Sequence, residues 1–126
     1  AEPSTYLNCA GFAQLSTDLT QWYFVYGGSA AQTPIALGTG LGTPNSNSTL
    51  WEAVIYSPST ERENVYYQLF NHTTDAKVSG KVSPTTFGTQ TPANTTGLTI
   101  QTFRINNTTA ASAGLDVADI YLESDD

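Results

Sequence analysis

A chain of 126 residues with 39% hydrophobic and 11% aromatic side chains is long enough to bury a core as one domain, 1–126. Its 12% charged content, about half the usual share, comes with enough apolar residues to exclude a disordered chain. Eleven acids against four bases (Arg62, Lys77, Lys81, Arg104) leave a net charge of −7, so no clustered basic stripe exists to track nucleic acid or an anionic membrane, and no apolar run reaches the roughly 18 residues needed for membrane insertion as a helix.

In chain order, Tyr6, Leu7, Ala10, Ala13 and Gln14 recur at three- and four-residue spacing behind Ser4 or Thr5 as N-cap, which predicts a short helix over 5–16, weakened by Gly11. Residues 20–26, Thr-Gln-Trp-Tyr-Phe-Val-Tyr, are aromatic and β-branched and end at Gly27-Gly28, the pattern of a strand. The Gly- and Pro-rich stretch 27–49 reads as loop, with room for a short strand at 35–37. Residues 50–57 and 64–70 flank the polar run 58–63 and predict a hairpin. Opposing Tyr56 with Val65 places Trp51, Ala53, Ile55, Tyr66, Gln68 and Phe70 on one face; Glu52, Val54, Tyr56, Val65, Tyr67 and Leu69 take the other. Both faces are apolar enough for a central position in a sheet, where an acid at Val54 would be an interior charge.

Further on, 77–82 predicts a weaker strand and 97–106 a cleanly alternating one, joined by a Thr/Pro/Gly-rich connection at 83–97. In 109–123, Leu115, Ala118 and Leu122 suit a helix, while Val117, Ile120 and Tyr121 suit a strand; the reading leans to helix. The sum is an α+β fold: an antiparallel sheet of four to six strands with an N-terminal helix and a C-terminal helix packed on it. An all-β sandwich is the alternative.

The opening Ala1-Glu2-Pro3-Ser4 resembles the small-residue start left by signal-peptide cleavage, so the expectation is a mature, secreted, extracellular chain. Sequons at Asn47, Asn71, Asn94, Asn106 and Asn107 point the same way, with at least one expected to carry a glycan. Cys9 is the lone cysteine. Two readings stand for it: a buried thiol acting as a small hydrophobe, or an intermolecular disulfide that makes a homodimer.

Searching for chemistry removes most enzyme classes. One Cys and one His, far apart, cannot build a zinc site, and no cofactor motif is present: Gly38-Thr39-Gly40-Leu41-Gly42 lacks the lysine of a phosphate loop. For calcium, Asp116 with Asp119, or Glu123 with Asp125 and Asp126, are acids without an EF-hand pattern. A serine hydrolase would need more than His72, and Gly-x-Ser-x-Gly is absent. Glu52 with Glu61 or Glu63 is the carboxylate pair available to a glycosidase. One Glu, His72 and Arg62 or Arg104 could formally serve a small ribonuclease, but their spacing does not support it. The expectation is therefore a protein that is not an enzyme.

Aromatic rings beside short polar side chains remain. Neutral sugars stack an apolar ring face on Trp or Tyr, while amide, hydroxyl and imidazole groups bond the hydroxyls. Trp51, Tyr66, Gln68 and Phe70 share a predicted hairpin face, and His72 lies just past its end; these five are the candidate ligand-binding residues.

The combination of a short, acidic, Thr- and aromatic-rich chain with sequons and few cysteines resembles the small secreted glycosylated lectins of mushroom fruiting bodies. The similarity covers the overall character of the chain; ricin-type Q-x-W repeats are absent. It implies a protein that binds glycans or glycoproteins without cofactors, and it transfers no binding residue. The competing class is a glycosylated extracellular filament subunit in which 1–7 or 115–123 completes a neighbour's sheet.

Overall fold

The aromatic run beginning at Thr20 becomes the strand around which the first half of the chain is built. The computed structural model describes residues 2–44, 48–100, 117 and 119–123. In it, β2 (Asp18–Gly27) pairs antiparallel with β1 (Cys9–Leu15) on one side and with the short β3 (Ile35–Ala36) on the other. A second three-stranded antiparallel sheet follows, β4 (Trp51–Tyr56), β5 (Val65–Asn71) and β6 (Ala76–Val82), in that spatial order. Both sheets belong to one unit, Ala1–Thr96.

This architecture corrects the α+β expectation. Among the described residues there is no α-helix, only 3₁₀ turns at Pro3–Thr5 and Thr39–Leu41. The segment expected to be the N-terminal helix is β1, where Ala10 opposes Tyr26 and Phe12 opposes Phe24. The physical reason lies in the partner. Ala, Gln and Leu favour a helix locally, but Phe12 gains a stacked contact with Phe24 at 5.4 Å only when the segment is extended alongside β2. Gly11, costly inside a helix, sits opposite Val25 without strain.

The inner faces of the two sheets and the 37–41 connection share one core of Phe24, Leu37, Leu41, Val65, Tyr67, Leu69 and Val82. Phe24 is completely buried and lies 4.2 Å, centroid to centroid, from Tyr67 of the opposite sheet. Each such fully buried apolar side chain contributes about 1.5–3 kcal/mol through area removed from water. Tyr67 lies across its ladder partner Gly80, where an added Cβ would fall 2.5 Å from the tyrosine Cζ. A glycine at this point of β6 is what lets the phenol ring enter the core.

The connection 83–96 is anchored rather than loose. Gln90 Oε1 accepts from the Thr85 and Thr86 backbone N–H groups at 2.7 and 3.1 Å. Gly28 and Ser29 then donate to the Thr89 and Gly88 carbonyls. A side chain at Gly28 would collide with the carbonyls of Gly88 and Thr91, so glycine permits this backbone-on-backbone packing.

The β1–β2 turn is held by Asp18. One carboxylate oxygen accepts the Thr20 N–H at 2.9 Å; the other accepts Gln21 Nε2 and Tyr23 Oη, both at 2.7 Å. These bonds, led by the Thr20 hydroxyl, hold the carboxyl well below the usual range. Because the folded state favours the ionised form, the contribution of Asp18 is complete above the ordinary carboxylate range near 4 and declines as pH falls below it. Thermal midpoints measured from neutral pH downward are therefore expected to fall more steeply for wild type than for Asp18→Asn. Parallel curves would show that the turn does not depend on the charge.

The other unit, Gly97–Asp126, is described only in part. Residues 97–100, 117 and 119–123 lie in no strand or helix, and Tyr121 Oη donates to Glu123 Oε2 at 2.8 Å. Thus the first four residues of the strand expected at 97–106 are not in one, and its remainder, 101–106, lies outside the described residues. So does most of the tail 109–123 expected to be helical, including Leu115 and Ala118.

Candidate functional site

The β4–β5 hairpin forms where the apolar pattern places it, but its register is one residue from the expected pairing. Tyr56 opposes Tyr66 instead of Val65, Val54 opposes Gln68, and Glu52 opposes Phe70. Side chains alternate with period two, so a one-residue slip moves a whole strand to the other face. Trp51 therefore turns inward with Tyr67 and Leu69. It packs edge-on against Trp22 with centroids 5.5 Å apart, its Nε1 buried without a hydrogen-bond partner. The candidate constellation divides: Trp51 belongs to the rim of the core, whereas Tyr66, Gln68 and Phe70 face outward and exposed His72 joins them. Val54 is likewise not interior; it is half-buried on the outer face.

The outward face is a grid of three rows across β4, β5 and β6. Glu52, Phe70 and Lys77 form the first, Val54, Gln68 and Ser79 the second, and Tyr56, Tyr66 and Lys81 the third. At one end the Tyr56 and Tyr66 rings stack 5.1 Å apart and within 9° of parallel, with Lys81 Nζ 5.5 Å from the Tyr66 centroid. Tyr66 Oη donates to Glu61 Oε2 at 2.6 Å, and Asn64 Nδ2 donates to the same oxygen at 3.1 Å. These bonds lower the Glu61 carboxyl below its ordinary value; the Glu61 hydrogen bond raises the Tyr66 phenol, which stays protonated. At the other end the His72 ring stacks on Phe70 at 5.9 Å, and its Nε2 lies 3.2 Å from Glu52 Oε1.

At the Tyr56–Tyr66 end the surface dips into an open groove of about 350 Å³, lined by Tyr56, Tyr66, Tyr67, Gln68, Ser79, Gly80 and Lys81. It offers aromatic edges with their phenol groups, the Gln68 amide, the Ser79 hydroxyl and the Lys81 ammonium. Ser79 and Lys81 were not among the candidate residues, because their strand carries no aromatic signal and its pairing with β5 is tertiary information.

The sequon residues occupy different environments. Asn94 is exposed, whereas Asn47, Asn106 and Asn107 lie outside the described residues. Asn71 is only 3% exposed, and Nδ2, the atom an N-glycan would be joined to, donates to the Leu41 carbonyl at 2.9 Å. Its Oδ1 accepts from the Thr73 and Thr74 N–H groups at 3.0 and 3.1 Å, closing the β5–β6 turn. Gly42, at φ 112°, brings the 39–42 turn down onto this amide; an added Cβ would sit 2.9 Å from Nδ2.

Among the described residues no three His, Cys, Asp or Glu side chains converge on a metal position. Of the calcium candidates, Asp116, Asp125 and Asp126 lie outside the described residues. Glu52 and Glu61 do not meet either. They stand beside Phe70 and Tyr66, four residues apart on β5 and so about 13 Å along the strand, beyond the reach of a glycosidase pair. Cys9 is half-buried, its Sγ 3.5 Å from the Tyr6 carbonyl, and burial raises its thiol away from the reactive thiolate. Comparison with known proteins finds no matching family, no matching curated relative and no matching solved structure.

Proposed function

We propose that this protein is a carbohydrate-binding module whose glycan site is the outer face of the β4–β5–β6 sheet. The observation that carries the reading is the groove in which the Tyr56–Tyr66 stack stands beside the Gln68 amide and the Ser79 hydroxyl. The stacked pair turns its ring edges to the groove as a rigid apolar wall against which the apolar face of a pyranose packs, and neighbouring amide and hydroxyl groups match its hydroxyls. The Phe70–His72 stack extends the same kind of surface toward the other edge. An open groove buries little of a ligand, so single-site affinity is weak and multivalent display strengthens it. Secretion and glycosylation, for which the sequons speak, belong to the same proposal.

A glycan array on the folded protein, followed by calorimetry on Tyr66→Ala and Gln68→Ala, tests it. Each variant is expected to lose about 1–3 kcal/mol of sugar affinity at a smaller cost in stability, about 1 kcal/mol for Tyr66→Ala, which also gives up the Tyr56 stack and the Glu61 hydrogen bond. Tyr67→Ala, on the inner face of the same strand, is expected to lose about 3–5 kcal/mol of stability instead. An array without a ligand, or normal sugar binding by both outer-face variants, removes the site.

A further inference from the structure

Acids outnumber bases eleven to four in this chain, yet two of the four bases, Lys77 and Lys81, stand on this single sheet face. They occupy alternate outward positions of β6, two apart on that face and so about 13 Å along the strand. Both are exposed, Lys77 beside Phe70 and Lys81 beside Tyr66. Among the described residues neither makes an ion pair. The carboxylates that reach the face are committed elsewhere: Glu52 to His72, and Glu61 to Tyr66 Oη and Asn64 Nδ2. Lys81 helps lower Glu61 through space without contacting it.

The geometry points to an acidic glycan, and we propose that the face selects oligosaccharides bearing carboxylates on the sugar ring. The proposal rests on the carbohydrate reading of the groove and adds its charge class. Lys81 places an ammonium beside the Tyr66 ring at the end of the groove that holds the ring stack, where a uronate lying along the Gln68 and Ser79 wall can turn its carboxylate to Nζ. Lys77 offers a second ammonium farther along β6, beyond the length of one sugar, so a linear chain with repeated acids uses both. With a net charge of −7 the chain as a whole repels such a ligand, so its binding depends on these two lysines.

Calorimetry with an oligogalacturonate and with the same oligosaccharide after reduction of its carboxyls to alcohols tests this. The acidic form is expected to bind on the order of tenfold more tightly. That preference is expected to shrink at molar salt, where the screening length is about 3 Å, and to approach unity in the double variant Lys77→Gln, Lys81→Gln. Equal binding of the two forms overturns the charge selection and leaves the carbohydrate reading standing. Equal binding of a polyphosphate of similar length also overturns it, because charge without a pyranose face would then suffice. If neither form binds and the glycan array is blank, both readings fall together.

Discussion

Leu69→Asp is expected to leave the protein unfolded at neutral pH, while Gln68→Asp, one residue earlier on the same strand, folds with a nearly unchanged thermal midpoint. Leu69 is 2% exposed, centred in the inner face of β5, and an isolated carboxylate there has no partner. The cost, at least several kcal/mol, is comparable to the whole stability of a small domain, about 5–15 kcal/mol. Gln68 faces the groove between Val54 and Ser79, where a carboxylate remains hydrated. Circular dichroism and denaturant titration of the two variants decide which face of β5 is inward, and Val54→Asp, whose residue would share the Leu69 face in the other register, decides the β4–β5 pairing. The alternative pairing of Tyr56 with Val65 places Gln68 on the Trp51 face; it would have to break the observed ladder, and equal effects at both positions would refute the observed faces. Val54→Asp, on the half-buried outer surface, is expected to fall near Gln68→Asp rather than near Leu69→Asp.

Asn71→Asp is the second large effect, because one atom decides it. The substitution keeps an acceptor for the Thr73 and Thr74 N–H groups but replaces the donor facing the Leu41 carbonyl with an oxygen. Two acceptors then oppose each other in a buried site, and a loss of about 3–5 kcal/mol is expected at neutral pH. The sign with pH is opposite to that of Asp18. Burial and the facing carbonyl favour the protonated carboxyl, so the folded-state value is raised and the variant recovers stability as pH falls into the range where it protonates. A protonated carboxyl can donate to Leu41 again. Asn71→Ala, lacking both functions, is expected to show no such recovery, and a pH-independent deficit in Asn71→Asp would refute the role of the donor.

That two-sided role shows how the molecule divides between local and tertiary information. Reading Asn71 as an acceptor site for a glycan follows from three letters, Asn71-His72-Thr73, yet the side chain is occupied by a carbonyl 30 residues away in sequence. Nothing in the local pattern encodes Leu41 as its partner. The 39–42 turn reaches it because Gly42 takes a positive φ and leaves room for the amide.

The amino-acid sequence by itself determined where β2, β4, β5 and β6 run, because aromatic and β-branched runs bounded by Gly, Pro or polar turns have few other uses. It also determined which residues within each strand share a face, since that needs only the two-residue period. It did not determine β1, whose small apolar residues satisfy helical and extended spacing alike until β2 supplies a partner with aromatic rings to stack. Nor did it determine the offset between β4 and β5. The connection 57–64 is long enough to close in either parity; burial of Leu69 and Tyr67 against Phe24 leaves Tyr66, Gln68 and Phe70 on the surface, and packing of Trp51 against Trp22, with Glu52 kept in solvent, selects the register that sends Trp51 inward. The lysines enter the candidate site by the same route: β6 pairs with β5 through its own ladder, and that ladder aligns Lys81 with Tyr66 and Lys77 with Phe70.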